Sequence, residues 1–334
     1  MAAAKASAVK RTAPQGDGAA EDDVVVEATT ARASSSSAQS PAPARIDVRK
    51  TYKLFIGGAF PRSESGRTYE VTTATGSFAA NAAQGSRKDA REAVVAARAA
   101  QPGWAGATAY NRGQVLYRVA ELLEGRREQF VAEVSAGEGL STDAAHAVVS
   151  DAVDRWVWYA GWTDKVAQVA GSANPVAGPY FNISAPEPTG VVALLAPQQS
   201  SLLGLVSVLA PALVTGNAVV LVSSERRPLP AITLAEVLAT SDVPKGVVNV
   251  LTGRTAEIAP HLAGHMDVNA IDLTGAVGAD GVTWGELEAI AADNVKRVLR
   301  PELDEAEEDW TRSPGLRRVL AFTETKTVWH PKGV

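Results

Sequence analysis

Chemistry has few places to come from in this sequence. Its 334 residues contain no cysteine, which removes disulfides, zinc–thiolate sites and every thiol nucleophile. Ser200 and Ser201 follow an apolar run, but a serine nucleophile needs a G-x-S-x-G elbow and a histidine base. The pattern places neither. His261 and His265 stand four apart, a spacing that can put two imidazoles on one helix face as metal ligands; the simpler reading is two residues of an ordinary helix and its exit. A third set of polar groups shares a common address. Pro197–Ser201, Val222–Glu225, Gly253–Thr255 and Leu273–Val277 each lie directly after an apolar run.

Those runs are the elements that must position them. Val191–Ala196 is a continuous apolar run, as expected of a strand buried on both faces of a parallel sheet; Ala218–Val222 reads as a second such strand, and Val247–Leu251 and Val268–Thr274 as two more. Helical stretches alternate with them: Leu202–Leu213, stopped by Thr215-Gly216-Asn217, then Pro230–Ala239 and Ile258–Gly264. The alternation predicts right-handed crossovers and an α/β, doubly wound, Rossmann-like and mostly parallel sheet. Ligands of such sheets sit beyond the carboxyl ends of the strands, where the four segments lie.

The remaining chain frames this unit. Residues 1–46 are rich in Ala, Ser and Pro, with Val24–Glu27 as their one strand-like piece; too few large apolar side chains occur there to offset ordering entropy, so a disordered tail is expected. Residues 47–170 read as an N-terminal helical part. Lys53–Phe60 and Gly66–Thr72 pair as a hairpin, and helices follow over Arg87–Ala100, Asn111–Leu123, Glu128–Ser135 and Asp143–Gln168. Trp156, Trp158, Tyr159 and Trp162 on the last of these read as helix packing. Prolines and glycines in 171–188 bracket Tyr180–Ser184, which suggests a hairpin arm. After 189–299, which ends in a helix over Trp284–Val298, come an acidic linker (300–317) and a strand-like terminus (318–334) whose Thr323–Trp329 suits edge pairing. A net charge of -5 offers nucleic acid no basic face. No apolar run is long enough to span a bilayer, and no apolar stretch follows Lys5, Lys10 and Arg11 as a secretory signal requires. A cytoplasmic protein without membrane partners is expected.

From about Lys53 to Val298 the sequence resembles the cofactor-binding part of an NAD(P)-dependent aldehyde dehydrogenase. The resemblance is carried by LFIGGAF, PGW (Pro102–Trp104), AGWTDK (Ala160–Lys165), EPTGVVALLAP, LAPALVTGNAVVL, VPKGVVNVLTG and DLTG (Asp272–Gly275). It implies that the 171–188 hairpin and the C-terminal strand serve in oligomerisation. It also implies a cofactor site at Pro197, Gln198, Gln199, Ser224, Glu225, Gly253, Leu273, Thr274, Gly275 and Ala276, altered at several places. The oxyanion amide is expected from Asn and is here Gln199. The ribose-binding Lys is replaced by Val222, beside a retained Glu225. A Gly-x-Gly turn becomes Gly253-Arg254-Thr255, and a pyrophosphate-binding Ser becomes Ala276. Where the family places its general-base Glu, this chain reads LRPEL (Leu299–Leu303), with Glu302 beside a proline, and the domain bearing the thiol nucleophile is replaced by the linker.

The resemblance therefore implies weak or absent binding of NAD or NADP, no catalytic residue and no metal. The expected role is a catalytically inactive structural or regulatory subunit, in a homo- or hetero-oligomer with a full-length aldehyde dehydrogenase. Two alternatives remain open: an NAD(P)-binding sensor without chemistry, and a residual oxidoreductase acting on aldehydes in a shared site.

Overall fold

The computed structural model describes residues 48–302 and 308–333. The expected N-terminal tail, with Val24–Glu27, and part of the acidic linker lie outside the described residues. In chain order the strands are β1 (Thr51–Tyr52), β2 (Thr68–Thr72), β3 (Phe78–Ala83), β4 (Ser172–Asn174), β5 (Tyr180–Pro188), β6 (Val191–Leu195), β7 (Ala218–Val222), β8 (Val248–Leu251), β9 (Ala270–Asp272), β10 (Arg297–Leu299) and β11 (Thr323–Pro331). The helices are α1 (Arg87–Gly106), α2 (Ala109–Glu124), α3 (Arg127–Glu138), α4 (Thr142–Ala160), α5 (Val166–Ala170), α6 (Leu203–Val214), α7 (Leu229–Leu238), α8 (Thr255–Gly264), α9 (Trp284–Ala292) and α10 (Arg317–Ala321).

The central sheet is parallel throughout, in the order β10-β9-β6-β7-β8. Its apolar runs explain why it has helices on both sides. Val192, Leu194, Val219 and Leu221 belong to one core with α2, α4, α6 and α7, whereas Val191, Ala193, Leu195, Val220 and Val222 belong to another with α1 and α8. Alternate side chains thus feed two cores, as the twofold period of a strand demands. This is the doubly wound fold anticipated from the sequence.

Three local expectations need correction. Gly66–Thr72 does not pair with Lys53–Phe60: β2 pairs antiparallel with β3. Lys53–Phe60 instead makes a tight turn, closed by Ile56 and Ala59, and Phe55 bonds to Val250 through both backbone groups (2.9 and 2.7 Å), which covers the β8 edge. The helix expected over Trp284–Val298 stops at Ala292, and β10 follows as a fifth parallel strand. Val295 takes a left-handed φ of 56° in that turn, held by Lys296 Nζ donating to the His265 carbonyl and to Asn294 Oδ1. The long helix Asp143–Gln168 breaks at Gly161 into α4 and α5.

The 171–188 segment folds as an antiparallel pair, and β11 adds to it along its full length, from Thr323 opposite Pro188 to Pro331 opposite Tyr180. The start of β11 is tied to the core by Asn217: its Nδ2 donates to the Phe322 carbonyl (3.0 Å) while its Oδ1 accepts from Gly190 N (2.9 Å). The Thr-Gly-Asn that stops α6 therefore also joins the central sheet to the arm.

Candidate functional site

Parallel register brings the four strand-end segments to one edge of the central sheet. Gln198 is the hub. Its side chain is buried, with Nε2 donating to the carbonyls of Ala196 (3.3 Å) and Gly275 (3.2 Å) and Oε1 accepting from Glu225 N (3.0 Å). Ser224 Oγ donates to the Gln198 carbonyl (3.0 Å). One amide thus staples the ends of β6, β7 and β9 together. Gln199 is exposed, and its carbonyl accepts from Arg227. Pro197 is buried against Gly204.

Glu225 lies across from the start of α8, where Oε1 accepts from Thr255 N at 2.5 Å. A carboxylate at a helix N-terminus satisfies an otherwise unpaired donor and suits the positive end of the helix dipole. Val222 is in the core and offers no cation beside it. Thr274 donates through N (2.9 Å) and Oγ1 (2.5 Å) to Asp272, while Leu273 and Ala276 are buried in the apolar core on the α8 side of the sheet. Gly253 packs its backbone against Gly85, at φ 134°. The residues named from sequence are brought together, but mostly to bond to one another.

Open space lies beside them. A pocket of about 720 Å³ is bounded by Glu225–Arg227, Gly253, Arg254 and Glu257 on one side and by β2, with Gln84, on the other. Of the named residues only Glu225 and Gly253 line it. The β2 wall was not anticipated, and Tyr69 is its most informative member. Its hydroxyl is buried near the Gly253 backbone without a hydrogen-bond partner, and burial, reinforced by the Glu225 charge, pushes its pKa up. Thr255 Oγ1 is likewise buried and unpartnered. The space continues between α8 and α9, where a pocket of about 440 Å³ shares Ala256 and Gly281 with the first. A further one of about 560 Å³ meets Ala276 and Trp284.

The other candidates from sequence resolve simply. Ser201 donates through N and Oγ to Glu138 (both 2.6 Å), with no histidine among its bonded partners. His265 Nδ1 accepts from Asp267 N (3.1 Å), and no group of three metal-ligating side chains occurs among the described residues. Trp156 is buried, while Trp158 packs on Tyr159 and Trp162 with centroids at 4.9 and 5.3 Å. Glu302 pairs at the surface with Arg317 (2.9 Å).

Near the first pocket, Glu133 carries a testable charge. Its Oε1 accepts from Tyr52, Thr233 and Gln129, and burial pushes its carboxyl above the ordinary value of 4.5. Between that value and the raised one, the folded chain holds a proton that the unfolded chain has released. Stability therefore falls as pH climbs through the window. Glu133→Gln is expected to flatten this slope in urea titrations from about pH 4 to about pH 7; an unchanged slope would assign it to other groups.

A doubly wound parallel sheet with its open pockets at the strand ends is the architecture of a dinucleotide-binding protein. The sequence profile of the aldehyde dehydrogenase family matches residues 60–299. The chain belongs to the aldehyde dehydrogenase family. It is 33% identical over 264 residues to a cytosolic aldehyde dehydrogenase 1 of Elephantulus edwardii, covering 77% of this chain and 51% of that one. It is 30% identical over 265 residues to an omega-crystallin of Enteroctopus dofleini, at 77% and 51% coverage. Its fold superposes on an NAD+ complex of an aldehyde dehydrogenase from Bacillus cereus with a TM-score of 0.70 and 29% identity, covering 75% of this chain and 50% of that one. The chain thus spans about half the length of these relatives. Among the described residues, no helix is long and apolar enough to cross a membrane.

Proposed function

We propose that this chain does not oxidise aldehydes by itself and serves as a structural or regulatory subunit beside a full-length aldehyde dehydrogenase, in the cytoplasm. The observation that carries the reading is what the strand-end groups do: Gln198 staples three strand ends and Glu225 caps α8. No cysteine occurs in the chain to form a covalent adduct with an aldehyde. Residues 189–299 act as a retained cofactor-type domain, 300–317 stand in place of a catalytic domain, and 171–188 with 318–334 form the assembly sheet. That sheet presents Tyr180, Phe181, Ile183, Val328 and Trp329, all exposed, which is the character of a surface that is covered in an assembly. Co-expression with a full-length family member is expected to give co-elution in size-exclusion chromatography, lost on Phe181→Glu. Persistent separate elution would count decisively against it.

A second reading, an NAD(P)-binding sensor without chemistry, is favoured by the unpartnered hydroxyls of Tyr69 and Thr255 around Glu225. A ribose diol reaching Glu225 from the pocket would supply a partner to Tyr69, which lines it. The fit is partial, since the Glu225 carboxylate is already bonded to α8 and Val222 supplies no donor. On this reading, calorimetry with NAD and NADP at millimolar concentration gives measurable but weak heats; silence for both rules it out.

A further inference from the structure

We propose that the chain binds a small organic carboxylate carrying one ring or a chain of five to six carbons, in a slot between β2, β3, α3 and α7. This slot adjoins the larger pocket at the strand ends and shares Val71 and Gly137 with it. Its volume is about 170 Å³, and its walls are hydrocarbon: Val71, Ala79, Ala132, Ala136, Leu229 and Pro230. An engineered protein cavity of about 150 Å³ holds benzene, so a single ring is the right size. The two remaining features of the slot decide the other end of the ligand.

Arg226 and Arg227 line both the slot and the larger polar pocket next to it, so they stand where one opens into the other. Neither guanidinium is strongly committed. Among the described residues Arg226 pairs with Asp280, at 3.0 Å and with both side chains largely in water, where such a pair contributes little. Arg227 donates to a neutral acceptor, the Gln199 carbonyl, and no carboxylate among the described residues comes within ion-pair distance of it. A planar guanidinium matches a carboxylate in charge and in paired donors. The acid that also lines the slot, Glu133, has its Oε1 engaged by Tyr52, Thr233 and Gln129 and its Oε2 buried without a partner; burial favours its neutral form, in which it does not repel an anion. An apolar slot with two arginines at its mouth selects an anion with a short apolar tail over either a bare anion or an alcohol. Carboxylates are what aldehyde oxidation produces. Such a site would let this subunit read its partner's product, a link that rests on the function proposed above, whereas the binding itself does not.

The test uses the isolated full chain with phenylacetate and hexanoate as probes, read by calorimetry and by methyl NMR. Both are expected to bind, with shifts centred on Val71 and Leu229; hexanol is weaker by about tenfold or more, the usual worth of a charged hydrogen bond, and acetate by about tenfold or more because it has no tail to bury. Arg227→Gln is expected to weaken phenylacetate by about tenfold. Ala136→Leu, at an exposed helix position, fills the slot and is expected to abolish binding without lowering the melting temperature; Ala132→Leu serves the same end if the first variant does not fold. No binding by either probe, equal binding of hexanol, or undiminished binding to both slot-filling variants would overturn the proposal. Because no partner subunit is present, these outcomes are independent of the co-elution result.

Discussion

Replacing Arg318 with methionine is expected to lower stability by about 3–5 kcal/mol, the cost of leaving one partner of a buried ion pair uncompensated. Asp272 ends β9 with a side chain that is 0% exposed, and Arg318 Nη1 reaches its Oδ2 at 2.5 Å from α10. The same guanidinium bonds Glu308 (3.2 Å) and lies over the Trp310 ring, 5.5 Å from its centroid. Arg155, buried on α4, takes hold of the same segment by donating to the carbonyls of Trp310 (2.6 Å) and Arg312 (2.9 Å) and to Ser207 Oγ (2.9 Å). Glu308, Trp310 and Arg312, which precede β11, are thus pinned to the end of the central sheet. A double variant with Asp272→Asn should recover much of the loss, because the amide oxygen can still accept from Thr274 N while the buried charge is gone. Urea midpoints on the single and double variants measure this; a loss under about 1 kcal/mol in the single variant would mean that the pair does not anchor the segment.

That anchoring was invisible in the sequence, and the reason is physical. The Rossmann-like sheet was legible because continuous apolar runs, helix periods and Thr-Gly-Asn stops are local signals, and five-residue runs such as Val191–Leu195 have few other ways to be buried. Arg318 and Asp272 are 46 positions apart, and nothing in the local pattern of either marks it as half of a pair. The acidic stretch around Glu308 reads as a solvated linker by composition, yet Glu308 and Trp310 are drawn in by partners from elsewhere. The β2–β3 pairing was missed for a related reason: FAANAA has weak strand propensity, and it is ordered by neighbours on both sides rather than by its own preference.

The candidate site was legible in a narrower sense. Strand-end positions follow from topology, so the placement of Gln198, Glu225, Gly253 and Gly275 at one edge of the sheet was legible. What they bond to does not follow, because hydrogen-bond partners depend on side-chain reach across three strand ends. The resemblance implies a cofactor-site role for Gln198, whereas its side chain fastens the strand ends together. Tyr69 had no signal at all: it comes from β2, distant in sequence, and only its unpartnered hydroxyl next to Glu225 draws attention to it.

Gly275→Ala separates the two reasons for which a strand-end glycine can be kept. If Gly275 served only to admit a cofactor, an alanine there would be harmless in a chain to which no nucleotide is added. The packing argues otherwise. A Cβ at 275 would lie 2.0 Å from the Ala196 carbonyl oxygen and 2.6 Å from its carbon. Both are backbone atoms at the end of β6, which cannot retreat because β7 and β9 flank it. The Gln198 bond to the Gly275 carbonyl also holds the turn against that strand. Overpacking against backbone on this scale is expected to cost about 3 kcal/mol, the upper end for such substitutions. Gly285→Ala is the control: it lies in α9 with nothing within 4 Å of the added carbon, and helix propensity alone predicts a gain of about 0.5–1 kcal/mol. Urea titrations of both variants without nucleotide decide the matter, and wild-type stability for Gly275→Ala would contradict the packing account. A large loss would assign this glycine to the fold.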